Sequence, residues 1–226
     1  MERGLFITFE GGEGSGKSTQ IQRFAEYIKS KKTDVILTRE PGGTPISKEI
    51  RKLLVEGSKD KFDELTETLL FYADRRIDLT QVIWPALKCG KTVLSDRFND
   101  STIAYQYYGS AKFNNTEIMD NLYQIIAGDF KPDITFLLDI DVRIGLERSF
   151  KKATDMQTKE LRFENTELAF HERLRQGYLE MAKKEPERFC VINAALSMDE
   201  VFNEIIAVYE KKIALLSKER NNFELR

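Results

Sequence analysis

Gly11-Gly12-Glu13-Gly14-Ser15-Gly16-Lys17-Ser18 sets glycine, glycine, lysine and a hydroxyl at the fixed positions of G-x-x-x-x-G-K-[ST]. Such a loop closes backbone N–H groups around phosphate oxygens, and the helix behind it adds the positive end of its dipole. Lys17 reaches the β- and γ-phosphates in this geometry, and the Ser18 hydroxyl ligates Mg²⁺. The loop begins one residue after the apolar run Leu5-Phe6-Ile7-Thr8-Phe9, and beyond it Ile21, Phe24, Ala25 and Ile28 recur at helical spacing. Strand, glycine loop and helix in that order are the context the motif requires. The chain is therefore expected to bind a nucleoside triphosphate through Gly11, Gly12, Glu13, Gly14, Ser15, Gly16, Lys17 and Ser18.

Other residues could complete a site. Asp96-Arg97-Phe98 closes the apolar run Val93-Leu94-Ser95. A carboxylate at the end of a parallel strand faces the ligand crevice, which makes Asp96 the partner of Ser18 for Mg²⁺. Arg97 offers a planar fork for two phosphate oxygens. Phe71 and Arg75 share one helix face and could hold a flat base, although Phe71 beside Leu69 and Leu70 also suits a core. The turn Arg39-Glu40-Pro41-Gly42-Gly43-Thr44 follows a second strand and opens onto the same edge, or is a plain strand-to-helix turn. Phe98, Tyr105, Tyr107 and Tyr108 crowd into 98–108 with Ser101, Thr102 and Gln106, a mixture suited to a nucleoside. His171 is the only histidine, so a zinc site and a Ser–His–Asp site both lack parts, and it reads as a helix-surface residue.

The elements that must position these groups alternate. Strands are predicted at about 5–10, 34–38, 92–96, 134–139 and 189–193, with helices between them. Their nearly continuous apolar runs suit parallel strands covered on both faces. The expected fold is one doubly wound α/β domain over 1–226: a five-stranded parallel sheet with helices on both faces. Thr44-Pro45 resembles an N-cap followed by proline at the first helical position. Pro85 should kink or end the helical segment 64–88. The segment 151–163 breaks the helical pattern and carries Lys151, Lys152, Lys159 and Arg162, the composition of a mobile lid closing over phosphates.

With 226 residues, 41% hydrophobic and 32% charged, the composition is that of a soluble globular protein. A formal charge of −2 argues against broad binding to nucleic acid. Cys89 and Cys190 lack metal or redox spacing and read as reduced thiols. Without an apolar stretch long enough for a leader or membrane span, the expected compartment is the cytoplasm.

Taken together, Phe9-Glu10-Gly11 through Gln20, Thr38 through Thr44, Leu70 through Arg75, Asp96-Arg97-Phe98, Ala104-Tyr105-Gln106, Leu138-Asp139 and Arg162-Phe163-Glu164 resemble the thymidylate kinase family in its bacterial form. They stand in the family's order across essentially the full chain. The resemblance implies a P-loop NTPase fold and transfer of the γ-phosphoryl group of ATP to dTMP, with Mg²⁺. Carried over, it implies that Arg97 holds the dTMP phosphate, Asp96 organises Mg²⁺, Phe71 stacks on thymine and Arg75 donates to its O4. Arg39, Pro41 and Gln106 fall in the matched segments that line the nucleotide. Ser101 and Thr102 would line the base edge, Tyr105 would sit against C2′, and Glu13 would approach the 3′-hydroxyl. Arg162 and Arg148 would descend from a lid at about 148–163, and a homodimer is common in the family. Gly14 stands where some members carry an arginine, and the stretch after Gln106, Tyr107-Tyr108-Gly109-Ser110, is less glycine-rich than usual. Another nucleoside or nucleoside-monophosphate kinase is an alternative separable by its base pocket. A GTPase-like switch is disfavoured, since Asp-x-x-Gly and Asn-Lys are both absent.

Overall fold

The computed structural model describes residues 3–58, 61–110, 116–156 and 162–224, the side chains of Met156 and 216–224 excepted. Five strands, β1 (Phe6–Glu10), β2 (Val35–Arg39), β3 (Thr92–Asp96), β4 (Ile134–Asp139) and β5 (Phe189–Asn193), lie within a residue of the predicted positions. They form one parallel sheet in the order β2-β3-β1-β4-β5. The apolar runs of the three inner strands β1, β3 and β4 are buried on both sides, while the edge strands β2 and β5 are only partly covered.

On one face, α1 (Lys17–Ser30) and α9 (Met198–Glu224) pack Ile21, Phe24, Ile28, Val201 and Ile205 against Ile7, Phe9 and Phe136. The other face carries α3 (Glu64–Asp78), α4 (Trp84–Lys88) and α8 (Leu168–Lys184). The helices α2 (Pro45–Val55), α5 (Asn99–Thr102), α6 (Thr116–Ala127) and α7 (Val142–Met156), with a π-helical stretch Ile103–Gly109 that continues α5, lie between these elements. Thr44 caps α2 as expected, its Oγ1 accepting from Ser47 N–H at 3.2 Å, with Pro45 opening the helix.

Three local expectations are corrected. Of the two outcomes expected at Pro85, a kink or an end, the second does not occur. A wide π-helical turn, Leu79–Ile83, precedes it and makes room for the ring, so the chain stays helical through Lys88. Residues 151–156 do not break the helical pattern, because α7 continues to Met156 with Lys151 and Lys152 exposed and Ala153 turned inward. Lys and Ala are good helix formers, and one buried position per turn suffices to seat them. Lys159 lies outside the described residues. Nor is His171 on a helix surface. It is 3% exposed, and its Nε2 lies 3.0 Å from Thr166 Oγ1. Residues 171, 174 and 178 form the inward stripe of α8.

Candidate active site

The carboxyl ends of β1, β2 and β3 open into a cleft of about 490 Å³. Gly11 to Ser18 turn there from β1 into α1, with left-handed backbone at Gly11, Gly14 and Gly16. At Gly14 the turn also demands the smallest residue. A Cβ would stand 1.9 Å from the carbonyl oxygen of Gly145 in α7, so an arginine has no room. Lys17 is folded onto its own loop. Its Nζ donates to the carbonyls of Gly11 (3.0 Å) and Gly12 (2.8 Å) and to Ser15 Oγ (3.2 Å). Burial and the neighbouring Arg97 lower its pKa to about 8 against the pull of Glu13, Asp96 and Glu10.

Ser18 and Asp96, 78 positions apart, meet directly: Ser18 Oγ donates to Asp96 Oδ2 at 2.9 Å. Two oxygen donors beside a phosphate loop fit Mg²⁺, which keeps most of its shell as water and phosphate. Among the described residues no group of three or more His, Cys, Asp or Glu could hold a metal by itself.

Arg97 occupies the centre of the cleft. Its backbone is left-handed, with φ at 72°, a costly conformation for a non-glycine residue. Ser95 Oγ, donating to its carbonyl at 2.6 Å, helps hold it there. Nη2 donates to Tyr105 OH at 2.8 Å and Glu13 Oε1 at 3.2 Å, while Nη1 donates to Gly11 O at 3.0 Å and Ser101 Oγ at 3.1 Å. Tyr105 OH also donates to Glu13. Burial opposes ionisation of Glu13, but Arg97 and Lys17 outweigh it and hold the carboxyl below its usual range.

The second half of the cleft is flatter. Phe71, half-buried, faces Phe163 with centroids 6.5 Å apart, and Tyr105 meets Phe163 edge-on at 5.2 Å. Arg75, one turn along α3, is 1% exposed and donates to Glu40 Oε2 (2.7 Å), Asn99 Oδ1 (3.2 Å) and Thr102 Oγ1 (3.0 Å). Glu40 precedes Pro41 across a cis peptide bond. Burial raises its pKa well above the ordinary range, more than Arg75 lowers it. Gln106 donates to Glu67 at 2.8 Å and leaves its own buried carbonyl oxygen without a partner. Arg39 and Pro41 line the wall by β2.

The residues given individual roles in phosphate, metal or nucleotide binding line this cleft, except Gly11 and Gly12, which belong to the loop that borders it. Of the four aromatics in 98–108, Tyr105 and Phe98 reach it. Phe98 is chiefly core, edge-on to Phe6 at 5.0 Å, and Tyr107 and Tyr108 pack on each other away from it. Tyr108 fits a notch at Gly177, where a Cβ would stand 2.3 Å from its ring.

The two lid arginines line the same cleft but are held by different groups. Arg148 donates to the carbonyls of Ala194 (2.9 Å) and Ala195 (3.5 Å). Arg162 is clasped between α2 and α3, donating to Leu54 O (2.9 Å), Ser58 O (3.1 Å) and the Glu67 carboxylate. Sequence reasoning passed over Glu10, Glu40, Asn99 and Tyr178. Glu10 carried a usable signal, since it ends β1 as Asp96 ends β3.

The family model described as thymidylate kinase matches residues 9–205. The thymidylate kinase of Caulobacter vibrioides is 45% identical over 215 residues, covering 95% of this chain and 100% of that protein. That of Magnetococcus marinus is 47% identical over 192 residues, with 85% and 89% covered. A crystal structure of thymidylate kinase from Ehrlichia chaffeensis superposes with a TM-score of 0.72 at 37% identity, covering 92% of this chain and 99% of that one. The cleft, its parallel sheet and these likenesses agree, and the chain belongs to the thymidylate kinase family.

Proposed function

We propose that the cleft transfers the γ-phosphoryl group of ATP to dTMP, giving dTDP and ADP. One observation carries the reading: a phosphate loop with its Ser18–Asp96 pair opens into the same cavity as Arg97 and the Phe71–Arg75 face. A phosphate oxygen of dTMP forms the new bond to the γ-phosphorus while the bond to the β,γ-bridging oxygen breaks. The acceptor oxygen is already ionised at neutral pH, so no general base is required. Catalysis rests on position and charge.

Gly11–Ser18 would hold the ATP phosphates, with Lys17 leaving its loop carbonyls for the β- and γ-oxygens. Ser18 and Asp96 would hold Mg²⁺, which supplies neutralising charge on the phosphates when bound. Arg97 would take the dTMP phosphate, and Glu13 and Tyr105 would meet its sugar. Phe71 would stack on thymine with Ser101 and Thr102 along the edge. Arg75 would donate to O4, and the unpartnered Gln106 oxygen suits the N3–H.

Of the lid arginines, Arg148 leaves two carbonyls, one at a weak 3.5 Å, while Arg162 would give up two carbonyls and a buried ion pair. We therefore assign the ATP-phosphate contact to Arg148 and the clasp to Arg162.

The same reading carries one kinase domain over 1–226, cytoplasmic action and a homodimer. Ile46 and Leu53 on α2 with Leu65 and Leu69 on α3 are exposed apolar groups that a second copy would cover. No described helix is long and apolar enough to cross a membrane. A coupled ADP-release assay with ATP and each monophosphate in turn tests the function. A clear preference for dTMP is expected, and equal use of dCMP overturns it.

A further inference from the structure

Glu10 is fully buried at the end of β1, and its carboxylate is enclosed by hydrogen-bond donors. Oε1 accepts from the backbone N–H of Phe98 at 2.7 Å. Oε2 accepts from Ser101 Oγ at 2.5 Å and from Tyr178 OH at 3.2 Å, and these two hydroxyls are 2.7 Å apart. The same hydroxyls are acceptors for Arg97 Nη1, at 3.1 Å and 3.3 Å.

The hydrogen inventory of this cluster has few solutions. A hydroxyl has one hydrogen and two lone pairs, a carboxylate only accepts, and a guanidinium only donates. With Glu10 ionised, the Ser101 hydrogen points to Oε2 and the Tyr178 hydrogen to Oε2 or Ser101. Lone pairs of both hydroxyls are then left for Arg97 Nη1, whose two hydrogens are shared among Ser101, Tyr178 and the Gly11 carbonyl. Glu10 also pins the N–H immediately after the left-handed Arg97 backbone.

We propose that Glu10 is a positioning residue for the acceptor phosphate: it orients the Ser101 and Tyr178 hydroxyls so that both accept from Arg97, and so sets where that guanidinium stands. The proposal rests on the reading that Arg97 holds the dTMP phosphate. Tyr178, from α8, is the second member of the device. Their hydrogen bonds run to Arg97 and its neighbours and not to Lys17 or Ser18, so the larger effect is expected on the acceptor substrate.

The test uses Glu10→Gln, which keeps size and puts an amide NH₂ where an oxygen accepted. Either the hydroxyls turn their hydrogens toward Arg97, or the amide flips and faces the Phe98 N–H donor to donor. Each way a buried contact fails. The KM for dTMP is expected to rise about tenfold or more, from lost hydrogen bonds to a charged group. The KM for ATP should stay within about twofold and the melting curve should stay cooperative. Tyr178→Phe should move the dTMP KM in the same direction, and the double variant should fall short of additivity because both act through Arg97. Wild-type turnover of dTMP, measured first, tests the functional reading; the variant-to-wild-type ratio tests Glu10 alone. An unchanged dTMP KM in folded Glu10→Gln, equal rises for both substrates, or full additivity overturns the proposal. Should Glu10→Gln fail to fold, Tyr178→Phe decides, and an unchanged dTMP KM there overturns it.

Discussion

Removing Arg75 should narrow the distinction between thymine and cytosine, provided the carboxylate it leaves behind is dealt with. A guanidinium has five N–H donors. Arg75 commits one each to Glu40, Asn99 and Thr102, which leaves one on each terminal nitrogen for the O4 of thymine. Cytosine presents an amino group at that place, so donor meets donor in a buried site. Rejection of dCMP by about 10⁴-fold is expected, equivalent to about 5.5 kcal/mol. dUMP lacks only the methyl group, about 1–3 kcal/mol of apolar contact, and should be poor but detectable. Arg75→Ala alone confounds the measurement. It strands Glu40, one oxygen of which already has no partner, and breaking a buried pair costs about 3–5 kcal/mol of a total near 5–15. Because burial already pushes Glu40 toward its neutral form, Glu40→Gln should relieve most of that loss. The informative protein is therefore Arg75→Ala/Glu40→Gln. Its kcat/KM for dTMP should fall while the dTMP-to-dCMP ratio shrinks to about 10²-fold or less. A folded double variant with the wild-type ratio would refute Arg75 as the reader of O4.

Lys17→Ala should lower kcat by at least about 10²-fold, since its charge is worth most on the transferring group; turnover within a few-fold of wild type would remove it from the mechanism. Arg148→Ala should lower kcat more than it raises the KM for ATP, whereas Arg162→Ala should chiefly lower the melting temperature and raise the KM for dTMP. The reverse pattern would return the phosphate contact to Arg162. Burial and the nearby Asp100 raise the Glu10 pKa to about 7, against the pull of Ser101, Arg97 and the Phe98 N–H. Its stabilising contribution is present below about pH 4.5 and is lost as pH rises through about 7, because the unfolded chain ionises more readily. Binding runs the other way, since the ionised carboxylate is the form that orients the hydroxyls. The dTMP KM should fall as pH rises from about 6 to 8, beyond what ionisation of the nucleotide contributes, and Glu10→Gln should flatten that excess. An identical profile in the variant would count against it.

What could be read in the chain was whatever is written locally. The phosphate loop, the strand runs and the i, i+4 pairing of Phe71 with Arg75 depend on neighbours in sequence, and all three stand where expected. Asp96 was legible because a strand end is a place as well as a residue. Glu10 obeys the same logic, yet it reads as one more strand position because its partners lie 88, 91 and 168 residues away. The hold on Arg162 was illegible for the same reason: a basic segment shows its charge, while the carbonyls and carboxylate that bind it lie far away in the chain. Burial of His171 was recoverable from its spacing to Leu174 and Tyr178. A lone histidine drew attention for its chemistry, and its periodicity went unweighed.

The abutment of Gly14 on Gly145 has a mechanical side. Besides the 1.9 Å approach at Gly14, a Cβ on Gly145 would stand 2.5 Å from the Glu13 carbonyl, so loop and helix touch main chain to main chain. A side chain between them could swing to another rotamer and absorb a small movement, as a spring would. Two peptide groups behave instead as a rigid stop. Any tightening of the loop around a phosphate therefore bears directly on the first turn of α7. From Gly145 to Met156 that helix is a rod about 17 Å long, at 1.5 Å per residue. A few tenths of an ångström at its seated end become a larger sweep at the far one, Met156. Filling the triphosphate site would then press first on Gly145 and carry the rest of α7 with it.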